Sequence, residues 1–256
     1  MSQPSLEASL RTCLKKLRLP AFSAHWQEVA TSAEKGGWSY GQFLQHLAEL
    51  EHQGKQERRI QRALKASNLP TTKTLESLRL DVFDIKVRRV IPRLCEGAFL
   101  EKGDNLLVFG LPGRGKSHLV CALGHEHIRR GKRVYFSSTN LLVQRLLAAK
   151  RDLYLERELN RLDKFDALIL DDLGYVQQSR EEMEVLFTLL AERYERRSVI
   201  ITSNLVFSQW GQIFKDPMTT AAAVDRLVHH STILELTNES VRNMEANART
   251  KSVTTQ

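Results

Sequence analysis

The sequence predicts an α/β domain built on a five-stranded parallel sheet, preceded by a small all-helical domain. Short apolar runs alternate with helix-like stretches from about residue 105 onward, the pattern of a parallel sheet covered on both faces. The first run, Asn105 to Phe109, leads straight into a Gly-rich turn and a helix. Residues 5–66 show leucines at helical spacing instead.

Leu6, Leu10, Leu14 and Leu17 recur at helical steps, and Leu19-Pro20 ends that run. Phe22 to Ala33 reads as a second helix, closed by Gly36-Gly37. Ser39 fits the N-cap of a long third helix with Phe43, Leu44, Leu47 and Leu50 on one face. Its second half is basic: Lys55, Arg58, Arg62 and Lys65 fall on one stripe, with Arg59 beside it. A solvated face explains such a stripe as readily as a surface that tracks DNA phosphates does.

Asn68-Leu69-Pro70-Thr71-Thr72 breaks the helix. The expected organisation is a helical domain over 1–70, a linker over 71–84, a nucleotide-binding domain over 85–245 and a polar tail over 246–256. An amphipathic segment at about 85–98 contains Pro92 and leads towards the adenine side of the nucleotide. After the loop come a helix at 116–130, a strand at 133–137 and one helical segment at 138–163. DALILDD is the third strand, 180–196 a helix, SVIITSN the fourth strand, 219–229 a helix and TILEL the fifth strand.

Gly110, four residues, then Gly115-Lys116-Ser117 matches the phosphate-binding loop. Gly110, Gly113 and Gly115 let the backbone curl so that N–H groups point at phosphate oxygens. Lys116 supplies charge for the β- and γ-phosphates, and the Ser117 hydroxyl is a Mg²⁺ ligand. The helix that follows adds its positive end. Leu168 to Asp172 is an apolar strand ending in two acids: Asp171 to hold Mg²⁺, mostly through water, and Asp172 to act as general base. Asn204, closing the fourth strand after Thr202-Ser203, is placed to position water and the γ-phosphate. Pro112, Arg114 and His118 complete the cofactor-binding set for ATP with Mg²⁺.

The 256 residues suffice for one large or two small domains, and the net charge of +8 favours an anionic partner. Residues 1–100 carry sixteen Lys and Arg against ten Asp and Glu, so the excess lies ahead of the loop. No apolar run approaches the roughly 18 residues of a membrane span, and the first residues are too polar for a secretory signal. Three separated cysteines, Cys13, Cys95 and Cys121, suggest reduced thiols and a cytoplasmic protein without a membrane partner. His125 and His127 point to different helix faces, and His229-His230 at a helix end is expected to meet local carbonyls, not metal.

With these residues in hand, the chain resembles the IstB family, AAA+ ATPases that assist the transposase of bacterial insertion sequences. The resemblance covers nearly the full length through FGLPGRGKSHL, LILDDLGYV, LFTLLAERYERRSVIITSNLVFSQWGQIF and AAAVDRLVHH. It implies a P-loop AAA+ domain that binds ATP and forms homo-oligomers through ATP at subunit interfaces. Arg226 resembles an arginine finger acting on a neighbour's nucleotide, with Arg193, Arg196 and Arg197 as competitors and Arg242 as a second γ-phosphate sensor. It further implies binding and deformation of duplex DNA without strong sequence preference, and recruitment of the transposase. Residues 138–163 sit where this clade carries an extra helix facing DNA, which nominates Lys150 and Arg151 for DNA contact, with Lys55, Arg58, Arg59 and Arg62 in the first domain. Acids in the same stretch (Asp152, Glu156, Glu158) argue against a simple basic groove. Asp172 stands where AAA+ proteins usually carry Glu, a methylene longer, which implies slow turnover. Two other readings differ in their partners: a DnaC-like loader of a replicative helicase, and a metabolic P-loop kinase, for which no acceptor site or lid is evident.

Overall fold

The computed structural model describes residues 5–174, 179–205, 209–210, 224–225 and 227–241. The chain divides into two compact units, Met1–Arg62 and Ala63–Gln256.

The first unit holds helices α1 (Leu6–Lys16) and α2 (Pro20–Gly36) and most of α3 (Tyr40–Ser67). Local chemistry sets their ends. The Ser5 hydroxyl accepts from the Ala8 amide, Pro20 opens α2 without an N–H to satisfy, and Gly37 closes it in the left-handed region. Ser39 caps α3 through the Gln42 amide, 3.3 Å away, while the Gln42 side chain accepts from the Ser39 amide. Leu14, Val29, Ala33 and Leu47 are buried in this unit. So is Glu51, which accepts from the Ala21 amide at 2.8 Å and so caps α2 from a distant helix.

The second unit contains α4 (Ile85–Glu96), α5 (Ala98–Lys102), β1 (Asn105–Phe109), α6 (Lys116–Arg129), β2 (Val134–Ser138), α7 (Thr139–Arg151), α8 (Leu155–Asp163), β3 (Ala167–Leu173), α9 (Arg180–Arg193), β4 (Ser198–Ser203) and β5 (Ser231–Glu235). The five strands form one parallel sheet in the order β2-β3-β4-β1-β5. β1 therefore lies inside the sheet, between β4 and β5, and all five of its residues are buried. That explains its unbroken apolar character.

Alternate residues along the strands serve two faces. Leu107, Phe109, Leu168, Leu170, Val199 and Ile201 meet Leu142, Leu146, Leu162, Leu186 and Leu189 from α7, α8 and α9. Each fully buried leucine there stabilises the fold by roughly 1.5–3 kcal/mol. Helix α6 packs against β2, β3 and β4, with Gly124 so close to Ile169 that a Cβ would lie 2.9 Å from its side chain.

The stretch 138–163 is two helices, not one. The chain turns at Asp152-Leu153-Tyr154, where Leu153 has φ 60° and is almost fully exposed. The turn lets Leu162 on α8 reach the same core as Leu146 and Leu147 on α7. No Gly or Pro marks it, so periodicity runs through it unbroken.

Candidate functional site

The phosphate-binding loop leaves the carboxyl end of β1 and ends at Gly115, the N-cap of α6. Two glycines are required by their surroundings. A Cβ at Gly110 would stand 2.7 Å from the Leu236 carbonyl oxygen, and Gly115 has φ 90° with the Phe83 ring 3.2 Å from where its Cβ would be. Lys116 is largely buried, and its Nζ donates to the carbonyls of Gly110 at 2.6 Å and Leu111 at 3.1 Å. The ammonium is thus held at the loop, beside the amides that open α6.

At the end of β3 the pairing with β4 slips between Leu170 and Leu173. The extra residue separates the two acids: Asp171 is buried, whereas Asp172 is exposed with φ 58°. Asp is among the few residue types that adopt this left-handed conformation readily. The Thr202 hydroxyl ties the pair together. It donates to Asp171 Oδ1 at 2.6 Å and accepts from the Asp172 amide at 2.9 Å. Thr139 Oγ1 donates to the Asp171 carbonyl, which fixes the same turn from α7. Trp210 lies fully buried beside Phe109, and its indole N–H donates to the Leu205 carbonyl, so this tryptophan serves the core.

A cleft of about 270 Å³ is lined by Pro112, Gly113, Arg114, Gly115, Lys116, Ser117, His118, Asp172 and Asn204, together with Lys73 and Val241. The fold therefore brings the loop, the second acid and Asn204 to one place. Asp171 sits behind them, held by Thr202. Two side chains have other work. The Arg114 guanidinium donates to the Leu236 carbonyl at 2.8 Å, and the His118 ring bonds the Thr74 carbonyl and the Ser77 hydroxyl. These two side chains fasten the loop to its surroundings. Val241 joins the same frame, its amide donating to the Gly113 carbonyl.

The residues expected as a linker are packed along α6. Leu69 meets Gly124, the Pro70 carbonyl accepts from His125 Nε2 at 3.0 Å, Thr74 and Ser77 hold His118, and Phe83 lies on Gly115. This strap runs the length of α6 and ends at the loop. Lys73 on it was not expected in the site, because its surroundings in sequence are a plain turn. Thr202 was visible as part of a polar strand end, without its bond to Asp171.

Arg226 and Arg242 lie outside the described residues. The competing arginines are otherwise engaged. Arg193 is 1% exposed and donates to the carbonyls of Leu162, Phe165 and Ser198, and burial pushes its pKa down to about 10. Arg196 pairs with Asp163 and Arg197 with Asp166. The candidate DNA residues are also largely partnered. Lys150 pairs with Glu184 at 2.9 Å and Arg151 approaches Glu181 at 3.9 Å. In the first unit Arg58 and Lys55 turn to Glu51, and Arg62 Nε donates to the Arg58 carbonyl; Arg59 is exposed on the same helix. Arg145 and Arg161 both grip Glu158 and lie over the Tyr135 ring, binding α7 and α8 to β2.

His229 and His230 meet the turn after α9 and not local carbonyls: His229 Nδ1 lies 3.4 Å from the Tyr194 hydroxyl and His230 Nε2 3.4 Å from Glu195. Cys121 is fully buried and its thiol pKa is pushed up to about 12 by that burial. Among the described residues no helix is long and apolar enough to cross a membrane.

Comparison with known proteins shows the family. The family model for the IstB-like ATP binding protein matches residues 12–249. The chain is 46% identical to an insertion sequence ATP-binding protein of Sinorhizobium fredii, over 94% of this chain and 81% of that one. It is 38% identical to the insertion sequence IS21 ATP-binding protein of Pseudomonas aeruginosa, over 96% and 94%. Among solved structures it resembles the DnaC helicase loader, with TM-score 0.57 and 22% identity over 65% of this chain and 97% of that one. DnaI gives TM-score 0.56 and 21% identity over 67% and 96%. At that identity the likeness is one of fold.

Proposed function

Since the chain belongs to the family of IstB-like ATP-binding proteins, we propose that it is the ATPase helper of an insertion-sequence transposase. It binds ATP with Mg²⁺ in the cleft described above, assembles through ATP at subunit interfaces on duplex DNA of little sequence preference, deforms that DNA and recruits the transposase. The observation that carries this reading is the meeting of the loop, Asp172 and Asn204 in one cleft, with Asp171 locked behind them by Thr202.

The residues present fit the nucleotide and its ion. Glycines at 113 and 115 with positive φ open the loop amides, Lys116 supplies a cation, and Ser117 with Asp171 offers oxygen ligands of the kind Mg²⁺ takes. Bound there, Mg²⁺ would offset charge on the β- and γ-phosphates. The chain's own residues do the rest. Lys116 and the loop amides orient the phosphate chain, and Asn204 holds a water in line with the γ-phosphorus. Asp172 takes the proton of that water as its oxygen bonds to phosphorus and the bond to ADP breaks. Asp172 later returns the proton to solvent. The short side chain of Asp172 supports slow turnover, suited to an assembly that waits for its partner. Arg226 acts across the subunit interface and Arg242 on the γ-phosphate, while Lys150, Arg151 and the α3 stripe remain the candidates for DNA.

Sedimentation of the protein on a long random-sequence duplex, with ATP, ADP or no nucleotide, tests this. Large ATP-dependent complexes that weaken steeply with salt are expected, lost in Lys116→Ala and Arg226→Ala. A protein that stays monomeric on duplex with every nucleotide, yet captures a replicative helicase, would be a loader instead.

A further inference from the structure

We propose that Lys73 is a second phosphate-binding cation of the cleft, and that through it the bound nucleotide tightens the strap of residues 68–84 onto α6. This rests on the reading of the cleft as an ATP site.

Three observations lead there. Lys73 is half-buried and lines the cleft together with Gly113, Gly115, Lys116 and Ser117. Two other cations along the same strap and helix have acidic partners: Arg79 pairs with Asp81, and Arg129 with Glu126 and Glu76. Among the described residues no carboxylate forms an ion pair with Lys73. A half-buried lysine without an acid, beside a phosphate-binding loop, faces the one place where an anion would offset its charge.

The backbone at Lys73 is also fixed. Its own amide donates to the Pro70 carbonyl at 3.3 Å, Pro70 is bonded by His125, and the Thr74 carbonyl by the His118 ring. The base of the side chain is therefore set on both sides, and only the flexible stem must order when an anion arrives. A solvated lysine would need no such anchoring.

The strap is seated by the buried side chains of Leu69, Leu78 and Phe83, and its polar contacts to α6 are those at His118 and His125 and the exposed ion pair of Arg129 with Glu76. Lys73 lies between these anchors, so a charge-assisted bond from it to a bound anion slows the local opening of the strap measurably.

The test titrates a fluorescent ATP analogue into wild type, Lys73→Met, Lys73→Arg and Lys116→Ala at several salt concentrations, with hydrogen exchange followed on 68–84. Lys73→Met is expected to bind roughly tenfold more weakly, with a shallower salt dependence, and Lys73→Arg to recover most of the affinity. ATP should slow exchange of the strap in wild type and not in Lys73→Met. Wild-type affinity in Lys73→Met would overturn the phosphate role. So would equal losses in Met and Arg variants with an unchanged salt slope, the mark of a packing role. Equal slowing of exchange in Lys73→Met would overturn the coupling. If Lys116→Ala also binds as wild type does, the ATP-site reading fails instead.

Discussion

The two ends of the sheet both gather polar side chains, and they use them in opposite ways. At the amino ends of the strands the polar groups are consumed by backbone. Asn105 accepts from the Val199 amide and donates to the Leu227 carbonyl, Arg193 donates to four carbonyls, and Asp166 accepts from the Arg133 amide and from Arg197. At the carboxyl ends the arrangement is graded. Asp171 and Thr202 are buried and bonded to one another, while Asp172, Asn204 and the loop line an open cleft. A buried polar group must find a partner within the chain, or its desolvation is uncompensated. The base closes most of these bonds internally and gains rigidity, with Arg193 Nε and the Ser198 hydroxyl left over among the described residues. The cleft leaves groups turned towards a ligand and gains chemistry.

If this contrast is right, substitutions at the two ends fail differently. The largest effect is expected at the cleft. Asp172→Asn keeps a side chain of the same size but removes the base, so ATP turnover should fall by roughly 10²–10⁴ while nucleotide affinity and melting temperature hold. A phosphate-release assay beside a binding titration reads both. Loss of the fold in that variant would break the contrast.

Next comes the base. Arg193→Met leaves the carbonyls of Leu162, Phe165 and Ser198 short of a donor. A loss of about 2–4 kcal/mol is expected, read by urea unfolding, with the nucleotide affinity of the folded fraction unchanged. The methionine also relieves the burial of a charge, which keeps the figure at the modest end for a buried cation.

The smallest effect is conditional on pH. His127 is fully buried under Gly97 and Phe99, neither ring nitrogen has a partner, and burial pushes its pKa down to about 4 from 6.5, helped by Arg130 and Lys132. Between those values the unfolded chain binds a proton that the folded one refuses. Stability is therefore full at neutral pH, falls as pH drops through 6.5, and levels off below about 4. The loss at pH 5 is about 2 kcal/mol. His127→Leu should flatten that acid limb in thermal melts at pH 5 and 7, with ATP binding at pH 7 intact. An unchanged acid limb would show that the ring is already protonated or partnered in the fold.

That Lys116, Ser117 and Asp172 would meet in one cleft was legible because a phosphate-binding motif has fixed residue types at fixed spacing along one segment. The inner strands β1, β3 and β4 were legible for a related reason: a strand buried on both faces has little room for polar residues. The break at Leu153 was not, since a turn without Gly or Pro leaves helical periodicity intact. Nor was the strap. Leu69-Pro70-Thr71-Thr72-Lys73 has the composition of a connection, and only packing along α6 makes it a wall of the cleft. Charge was the least legible property. Arg193, Arg58 and Lys150 look alike as letters, yet one bonds carbonyls in the core, one serves a buried Glu51, and one meets Glu184 at the surface. The sequence by itself determined the class of fold and the phosphate-binding machinery, because both are written in contiguous patterns. The tertiary structure alone decided which polar groups are tied and which face the cleft, because a partner is chosen by proximity in space, across 31 residues for Asp171 and Thr202 and more for Asn105 and Leu227.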